Sequence, residues 1–230
     1  MLGLSARVAY WCIVVYFVFI LGPSQSRAFE NNFESITFKI VQDGSNVGRH
    51  SVQFSKVGTD LHVDIAIDID IRVLFIPIYS YRHRNKEIWR NGKLMSIQTH
   101  TDDNGEKHWV KGKYADNSFV INSSSGAFSA PSSIIPTSYW LQKITSQSLL
   151  LDTQHGKLLN VNINRLDDDI LNLGNKRKIV HPFVISGDLN LTLWYSRTGE
   201  WVKTAFKVDN TAIEYFLENE TINYDNKTND

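Results

Sequence analysis

The sequence predicts an all-β protein: a single domain built on a curved antiparallel sheet or half-open β-barrel of about eleven strands, with one short helix. Three observations predict it. Apolar and polar residues alternate through most of the chain, which is the period of strands with one buried face. Turn dipeptides such as Asn-Gly and Asp-Gly separate these runs at short intervals. Helical spacing is confined to one segment, Pro136 to Ser146.

The N-terminal segment predicts export. Residues 1–28 contain a cation at Arg7, an apolar run from Val8 to Leu21 and a small residue at Ala28. This is the layout of a secretory signal peptide, and its run of about fourteen apolar residues is shorter than a membrane span. We expect cleavage before Phe29, a periplasmic location and no stable membrane anchor. Retention as an anchor is the alternative.

Composition narrows the function classes. The only cysteine, Cys12, lies in the apolar run, so the exported chain would contain none, which fits a bacterial periplasm and excludes a cysteine nucleophile. Loss of Arg7 and Arg27 with the signal leaves 22 basic and 24 acidic residues. This small net negative charge does not indicate the basic surface that nucleic-acid binding requires, so we expect no nucleic-acid partner.

The domain is predicted over residues 29–217, with a disordered polar tail at 218–230. Its clearest strand runs from Leu61 to Val73, where isoleucines and valines occupy one face and acidic residues the other. Ten further strands are predicted at Ile36–Ile40, His50–Phe54, Ile78–Arg90, Gly112–Ile121, Lys157–Arg165, Ile170–Leu173, Lys178–Ile185, Leu189–Tyr195, Trp201–Val208 and Ala212–Leu217.

The predicted helix covers about Thr137–Thr145, with Thr137 or Ser138 as its N-cap, and follows a small-residue loop at Ser123–Ser133. Tyr139 and Trp140 lie on it. Their aromatic rings would bury the helix against the sheet, or alternatively form a ligand wall over it.

The stretch Tyr81 to Val110 concentrates histidines and carboxylates. A two-residue turn at Asn104-Gly105 would place Asp102 opposite Lys107 and would put His100 and His108 on opposite faces, which argues against a shared metal. The chain has no HxH or HExxH pair, no GxSxG, no phosphate loop and no dinucleotide fingerprint. We therefore expect no metal and no cofactor.

Tyr81, His83, Glu87 and Trp89 share one face of a predicted strand. We interpret this face as solvated, with charges that fix the register of two hairpins. Together with Tyr139 and Trp140, these four residues are the candidate ligand-binding residues. An acid–base pair of Glu87 with His83 or His100 is the catalytic alternative.

The runs YRHRNKEIWRNGKL, THTDDNGE, LLDTQHGKLL, ISGDLNLTLWY and IEYFL follow one another between Phe38 and Leu217. As an ordered set they resemble an exported bacterial family of unknown function, DUF6134, and more distantly DUF3108. That wider group is similar to the curved, half-closed sheets with which envelope lipoprotein carriers hold acyl chains. The resemblance implies an antiparallel β fold and an envelope location, and it implies no activity and no catalytic residues.

These observations favour a non-catalytic periplasmic binding protein for an apolar, lipid-like ligand or an envelope partner. Two alternatives stay open. One is an envelope hydrolase that uses Glu87, His83 and Asp102, and the other is an adaptor that adds a partner's strand to an edge of its sheet.

Overall fold

A computed structural model describes residues 33–173, 176–208 and 210–222, which form sixteen strands and one 3-10 helix. The predicted signal peptide and cleavage site lie outside the described residues. The strands are β1 (Phe33–Gln42), β2 (Ser45–Val57), β3 (Asp60–Val73), β4 (Ile76–Arg90), β5 (Lys93–Asp103), β6 (Glu106–Ala115), β7 (Ser118–Ser123), β8 (Gly126–Pro131), β9 (Ile135–Pro136), β10 (Leu149–Leu151), β11 (Leu158–Arg165), β12 (Asp169–Leu173), β13 (Lys176–Gly187), β14 (Leu191–Ser196), β15 (Trp201–Val208) and β16 (Thr211–Ile222), and the 3-10 helix is Gln142–Ser146.

All described strands belong to one sheet in the order β8-β7-β6-β5-β4-β3-β2-β1-β16-β15-β14-β13-β11-β10-β9, with β12 paired to β13. Neighbours are antiparallel except β9 and β10. The strands at the two ends of this order, β8 and β9, follow one another in the chain and are joined only by residues 132–134. That link spans at most roughly 14 Å, whereas the flattened sheet would be roughly 70 Å wide. The sheet must therefore curl until its edges nearly meet.

The predicted all-β class, a curved antiparallel sheet or half-open barrel, is confirmed, but the strand count of about eleven is too low. The predicted strand at Gly112–Ile121 is two strands, because Asp116 and Asn117 turn the chain with φ of 47° and 59°. The predicted loop at Ser123–Ser133 contains β8, and the predicted helix segment is flanked by β9 and β10. These strands are short and form through pairing with a neighbour, which sequence propensity does not register.

The predicted α-helix at Thr137–Thr145 is wrong. The chain turns and bends through Thr137–Leu141 and then forms only the 3-10 helix Gln142–Ser146. Tyr139 has a φ of 64°, which an α-helix cannot contain. Its carbonyl accepts a hydrogen bond of 2.7 Å from the Tyr195 hydroxyl on β14. Tertiary contacts thus override a segment with weak helical preference.

The hydrophobic core lies inside the curled sheet, where the inner faces of the strands pack together with residues 132–157, which we call the crossing segment. The segment contacts opposite walls: the Trp140 indole donates to Glu87 on β4, and Tyr139 accepts from β14. Its buried apolar side chains are Ile134, Ile135, Trp140, Leu141, Ile144, Leu150 and Leu151. The barrel-like interior is therefore a packed core rather than a pore.

The outer face of β3 and β4 carries a ladder of ion pairs, as expected for the acidic face of Leu61–Val73. The pairs are Asp60–Arg90 at 2.6 Å, Asp64–Lys86 at 2.8 Å, Asp68–Arg84 at 2.8 Å and Asp70–Arg82 at 2.7 Å. Exposed pairs each contribute about 0–1 kcal/mol. Their main consequence is that this face of β4 points outward, because burying its four cations would cost far more free energy than the ion pairs contribute.

The C-terminal strand extends further than predicted. β16 pairs with β1 as far as Ile222, so the first five residues of the predicted polar tail at 218–230 lie in a strand. The rest of that tail lies outside the described residues. Pairing with β1 satisfies the backbone groups of a segment that has few apolar side chains to bury.

Candidate functional site

The candidate residues of β4 lie on the inner face of the sheet. His83, Asn85, Glu87 and Trp89 are buried, and the alternating cations of this strand are outside. The prediction that Tyr81, His83, Glu87 and Trp89 share one face is confirmed. The interpretation of that face as solvated is wrong, because the cations occupy the other side.

Glu87 is the centre of this inner face and is only 1% exposed. One carboxylate oxygen accepts hydrogen bonds from the indole nitrogens of Trp89 and Trp140, at 2.8 and 3.1 Å. The other accepts from the Asn85 amide at 2.8 Å. The Ser138 side chain also bonds to this carboxyl group. The carboxylate therefore fixes the crossing segment to β4.

All four donors to Glu87 are uncharged, and burial raises the pKa of its carboxyl group above the usual range. The hydrogen bonds act in the opposite direction and hold the ionised form in place. The Asn85 Oδ1 atom is buried and has no hydrogen-bond partner within the described chain. Rotation of the Asn85 amide would turn this oxygen toward Glu87, so the pair can accommodate a protonated carboxyl group.

Tyr81 and His83 lie nearer to one end of the barrel. The His83 ring bonds to Thr101 through Nδ1 at 2.8 Å, and burial lowers the pKa of His83 to about 4. The Tyr81 hydroxyl bonds to the Gln154 side chain at 3.1 Å, and Gln154 donates to Asp103 at 3.0 Å. These bonds join the crossing segment to the wall at this end, which we call the mouth.

The three residues of the hydrolase alternative do not converge. Glu87 and His83 are buried inside, whereas Asp102 lies at the β5–β6 turn, pairs with Lys107 in register and accepts a 2.8 Å hydrogen bond from the Gly105 amide. This confirms the predicted two-residue turn. His100 is exposed and His108 is half-buried, on opposite faces as predicted. The described part of the chain holds no cluster of three or more potential metal ligands.

The inner face of β3 carries an apolar row out of the core. Val63 and Ile65 are buried, Ile67, Ile69 and Ile71 are half-buried, and Val73 is 55% exposed. The row continues into the β3–β4 turn, where exposure reaches 85% at Leu74 and 91% at Phe75. Exposure thus rises steadily from the barrel interior, through the mouth, to the end of one hairpin.

Comparison with known proteins identifies the family. The model of a family described as "Domain of unknown function (DUF6134)" matches residues 38–218. The chain belongs to the DUF6134 family. It is similar in structure to a beta-barrel-like protein of the DUF1849 family from Brucella abortus, with a TM-score of 0.60, 9% identity, and coverage of 83% of this chain and 97% of that one. This likeness shows the fold alone. No curated protein matches the sequence.

Among residues 33–173, 176–208 and 210–222 of this DUF6134 protein, no helix is long and apolar enough to cross a membrane.

One buried ionisable residue of the DUF6134 protein was not among the candidates predicted from the sequence: His50. It is 1% exposed, and its ring packs against Phe38, Trp201 and Tyr215. Neither ring nitrogen has a hydrogen-bond partner among the described residues. Burial lowers the pKa of His50 to about 3, so the ring is neutral at physiological pH. The signal was present in the sequence, because His50 alternates in phase with the apolar Val52.

An open depression of about 430 Å³ lies on the outer face of β4, β5 and β6 and includes Arg82, Arg84 and Trp109 in its lining. Both arginines already bond to Asp68 or Asp70. The depression therefore presents neutralised charge to a ligand.

Proposed function

We propose that this DUF6134 protein is a non-catalytic binding protein of the bacterial periplasm that takes an apolar, lipid-like ligand at the mouth of its barrel. The observation that carries the proposal is the apolar row of β3, which leaves the core without a polar interruption on its face. A site for an acyl chain needs such a surface, continuous with the interior and open at one end.

The half-buried part of the row, Ile67 to Ile71, is the proposed contact surface. These side chains are partly enclosed by the barrel wall, so a ligand would be held in a defined place. They also keep exposed apolar surface that a bound ligand would remove from water. Covering apolar surface yields about 25 cal/mol per Å². Tyr79 and Tyr81 lie on the facing strand at the same end, so that aromatic rings would flank the ligand.

The six candidate ligand-binding residues divide by depth under this proposal. Tyr81 lies at the mouth and would contact the ligand directly. Glu87, Trp89 and Trp140 lie deeper, and their polar atoms bond to one another. They would hold the crossing segment that forms the floor of the site. His83 and Tyr139, which bond to Thr101 and Tyr195, would support the same floor.

The alternatives lack an equivalent observation. Catalysis would need an acid or base within reach of a substrate, and the two interior candidates, Glu87 and His83, are almost fully buried. Strand addition would need a long free edge. The edge strands β9 and β12 have only two and five residues, and β8 ends at Pro131, which has no amide hydrogen to donate.

The periplasmic part of the proposal is supported by the N-terminal signal-like sequence and the absence of cysteine downstream of Cys12.

A titration with a fluorescent fatty acid, dansyl-undecanoic acid, tests the binding proposal. The protein should bind it saturably, and Ile71→Gln should weaken binding about tenfold by placing an amide in the apolar row. Ile170→Gln is the control, because Ile170 is 50% exposed on β12, away from the row. Absence of saturable binding, or equal loss in both variants, would contradict the proposal.

A further inference from the structure

The β3–β4 hairpin projects beyond its neighbours. Ladder pairing of β3 with β2 ends at Ile69, and that of β4 with β5 ends at Tyr81. Residues 70–80 therefore make ladder pairs only with each other and form a two-stranded ribbon, which we call the ribbon. At its base, the Ser80 carbonyl accepts a 2.7 Å hydrogen bond from the Asn104 amide. From Asp70 to the turn, it extends roughly 15 Å.

The end of the ribbon, residues 73–78, is a continuous run of apolar side chains, which we call the tip. Its exposed fractions are Val73 55%, Leu74 85%, Phe75 91%, Ile76 65% and Ile78 54%. Together these five large side chains form one contiguous exposed apolar patch, a feature that marks a protein or membrane contact on a soluble monomer. The most exposed residues occupy the turn itself.

The shape of the tip decides what could cover it. Val73 and Ile76 form a cross-strand pair on the inner face, Leu74 and Phe75 are at the end, and Pro77 lies opposite Arg72. A second copy or another folded protein with a flat surface would cover one side, or roughly half of the area, against about 800 Å² per partner in a stable interface. A fluid apolar phase would surround all sides at once.

The charges also fit a bilayer surface. No residue from Val73 to Ile78 is charged, and the first charged residue, Arg72, lies about 7 Å of strand before the turn. Interfacial segments bury their apolar side by about 5–10 Å. Behind Arg72 lie the Asp70–Arg82 ion pair and the Tyr79 hydroxyl bonded to Asp103, groups that belong at headgroup depth.

We propose that the tip inserts into the outer part of a lipid bilayer and docks the barrel mouth on the membrane surface. This inference rests on the proposed function, because the bilayer is the phase from which a lipid-like ligand would enter the mouth. The apolar row of β3 leads directly from the tip to Ile71 and the interior. Arg72 would face the lipid phosphates.

Flotation with vesicles tests docking. Protein recovered after export is mixed with phosphatidylcholine vesicles, alone or with phosphatidylglycerol. Leu74→Asn/Phe75→Ser should lower the partition coefficient by about tenfold or more. Asparagine suits position 74, where φ is 57°. Val57→Ser is the control, since Val57 is 58% exposed on β2, beside the end of β3 that lies opposite the tip. Adding phosphatidylglycerol should strengthen binding only about fivefold, through Arg72.

A single label locates the contact. In a Cys12→Ser background, which removes the only cysteine, an environment-sensitive nitrobenzoxadiazole dye is attached to Leu74→Cys or Val57→Cys. The label at position 74 should shift to the blue and be quenched by brominated lipids, and the label at 57 should not. No response at 74, equal responses at both sites, or a tip-dependent dimer without vesicle binding would overturn the inference.

The two proposals fail separately. If the double tip variant binds dansyl-undecanoic acid like the unmodified protein but no longer floats with vesicles, both proposals are supported. If the unmodified protein floats through its tip and binds no fatty acid, docking stands and the ligand proposal is wrong. If it binds fatty acid and never floats, docking is wrong.

Discussion

Replacing Glu87 by leucine should destabilise the protein by about 2–5 kcal/mol, because two indole N–H groups, one amide and the Ser138 side chain would lose their acceptor in the interior. Leucine has nearly the volume of glutamate, so little of this cost would come from a cavity. Each buried donor left without a partner costs about 1–3 kcal/mol, and the relief of an unpaired buried charge offsets part of the sum.

Glutamine at position 87 should cost much less, about 0–1.5 kcal/mol at neutral pH. Its carbonyl oxygen can accept from Trp89 and Trp140 as the carboxylate does. Its amide would face Asn85, whose Oδ1 atom is buried without a partner and can accept after the Asn85 amide rotates. Glutamine therefore keeps both indole donors paired and satisfies the one unpaired acceptor, whereas the rotated Asn85 NH2 group gives up its bond to position 87.

The difference between glutamine and the native residue should depend on pH. The folded-state pKa of Glu87 is raised, so its contribution is fully present below the unfolded pKa and is lost as pH rises through the folded pKa. Glu87→Gln should therefore gain stability relative to the native protein as pH rises from about 4.5, at about 1.4 kcal/mol per unit of pKa shift.

Urea unfolding at several pH values between 4 and 8 measures both effects. A Glu87→Gln variant as unstable as Glu87→Leu would refute the assignment of Asn85 as the compensating partner. A stability difference between Glu87→Gln and the native protein that does not change with pH would refute the raised pKa.

Further predictions concern the core, the surface and export. His50→Phe should raise stability at pH 7 by about 1 kcal/mol by removing an unsatisfied ring. It should also reduce the loss of stability in acid, because the lowered pKa of His50 makes the native protein less stable as pH falls from 6.5 towards 3. If urea unfolding shows the same gain in stability for the variant at pH 7 and at pH 4.5, this prediction is wrong. Asp64→Asn should change the melting temperature little, the expected loss being below about 1 kcal/mol; a larger loss would mean that the outer ladder is cooperative. Trp140→Phe should cost about 1–2 kcal/mol, through one hydrogen bond, and should be non-additive with Glu87→Leu in a double-mutant cycle; simple additivity would disprove their coupling. N-terminal sequencing of exported protein should read FENNFES, from Phe29; an intact chain in the membrane fraction would exclude cleavage.

Alternation alone predicted most strands of the sheet, because one wet face and one dry face leave a period of two in the sequence. It did not decide which face of β4 is buried, since both faces are polar. The decisive comparison is between cations such as Arg84 and Lys86 on one face and His83, Asn85 and Glu87 on the other. Neutral hydrogen-bonding groups and one carboxylate can be satisfied inside, whereas a row of cations cannot.

The crossing segment was the least predictable part of the chain. Its course depends on long-range bonds from Trp140 to Glu87 and from Tyr195 to Tyr139, which no local pattern encodes. The pairing of β8 and β10 is likewise set by their neighbours rather than by propensity. The tip was present in the sequence as VLFIPI, but its exposure depends on where pairing with β2 and β5 ends.

Native mass spectrometry of protein recovered from the periplasm tests the binding of a lipid-like ligand most directly. The native spectrum should show the chain with the added mass of one bound lipid. The Ile71→Gln variant should lack this added mass, and the Ile170→Gln variant should keep it. A native chain that always appears at its bare mass, even after incubation with lipid extract, would contradict the proposed function.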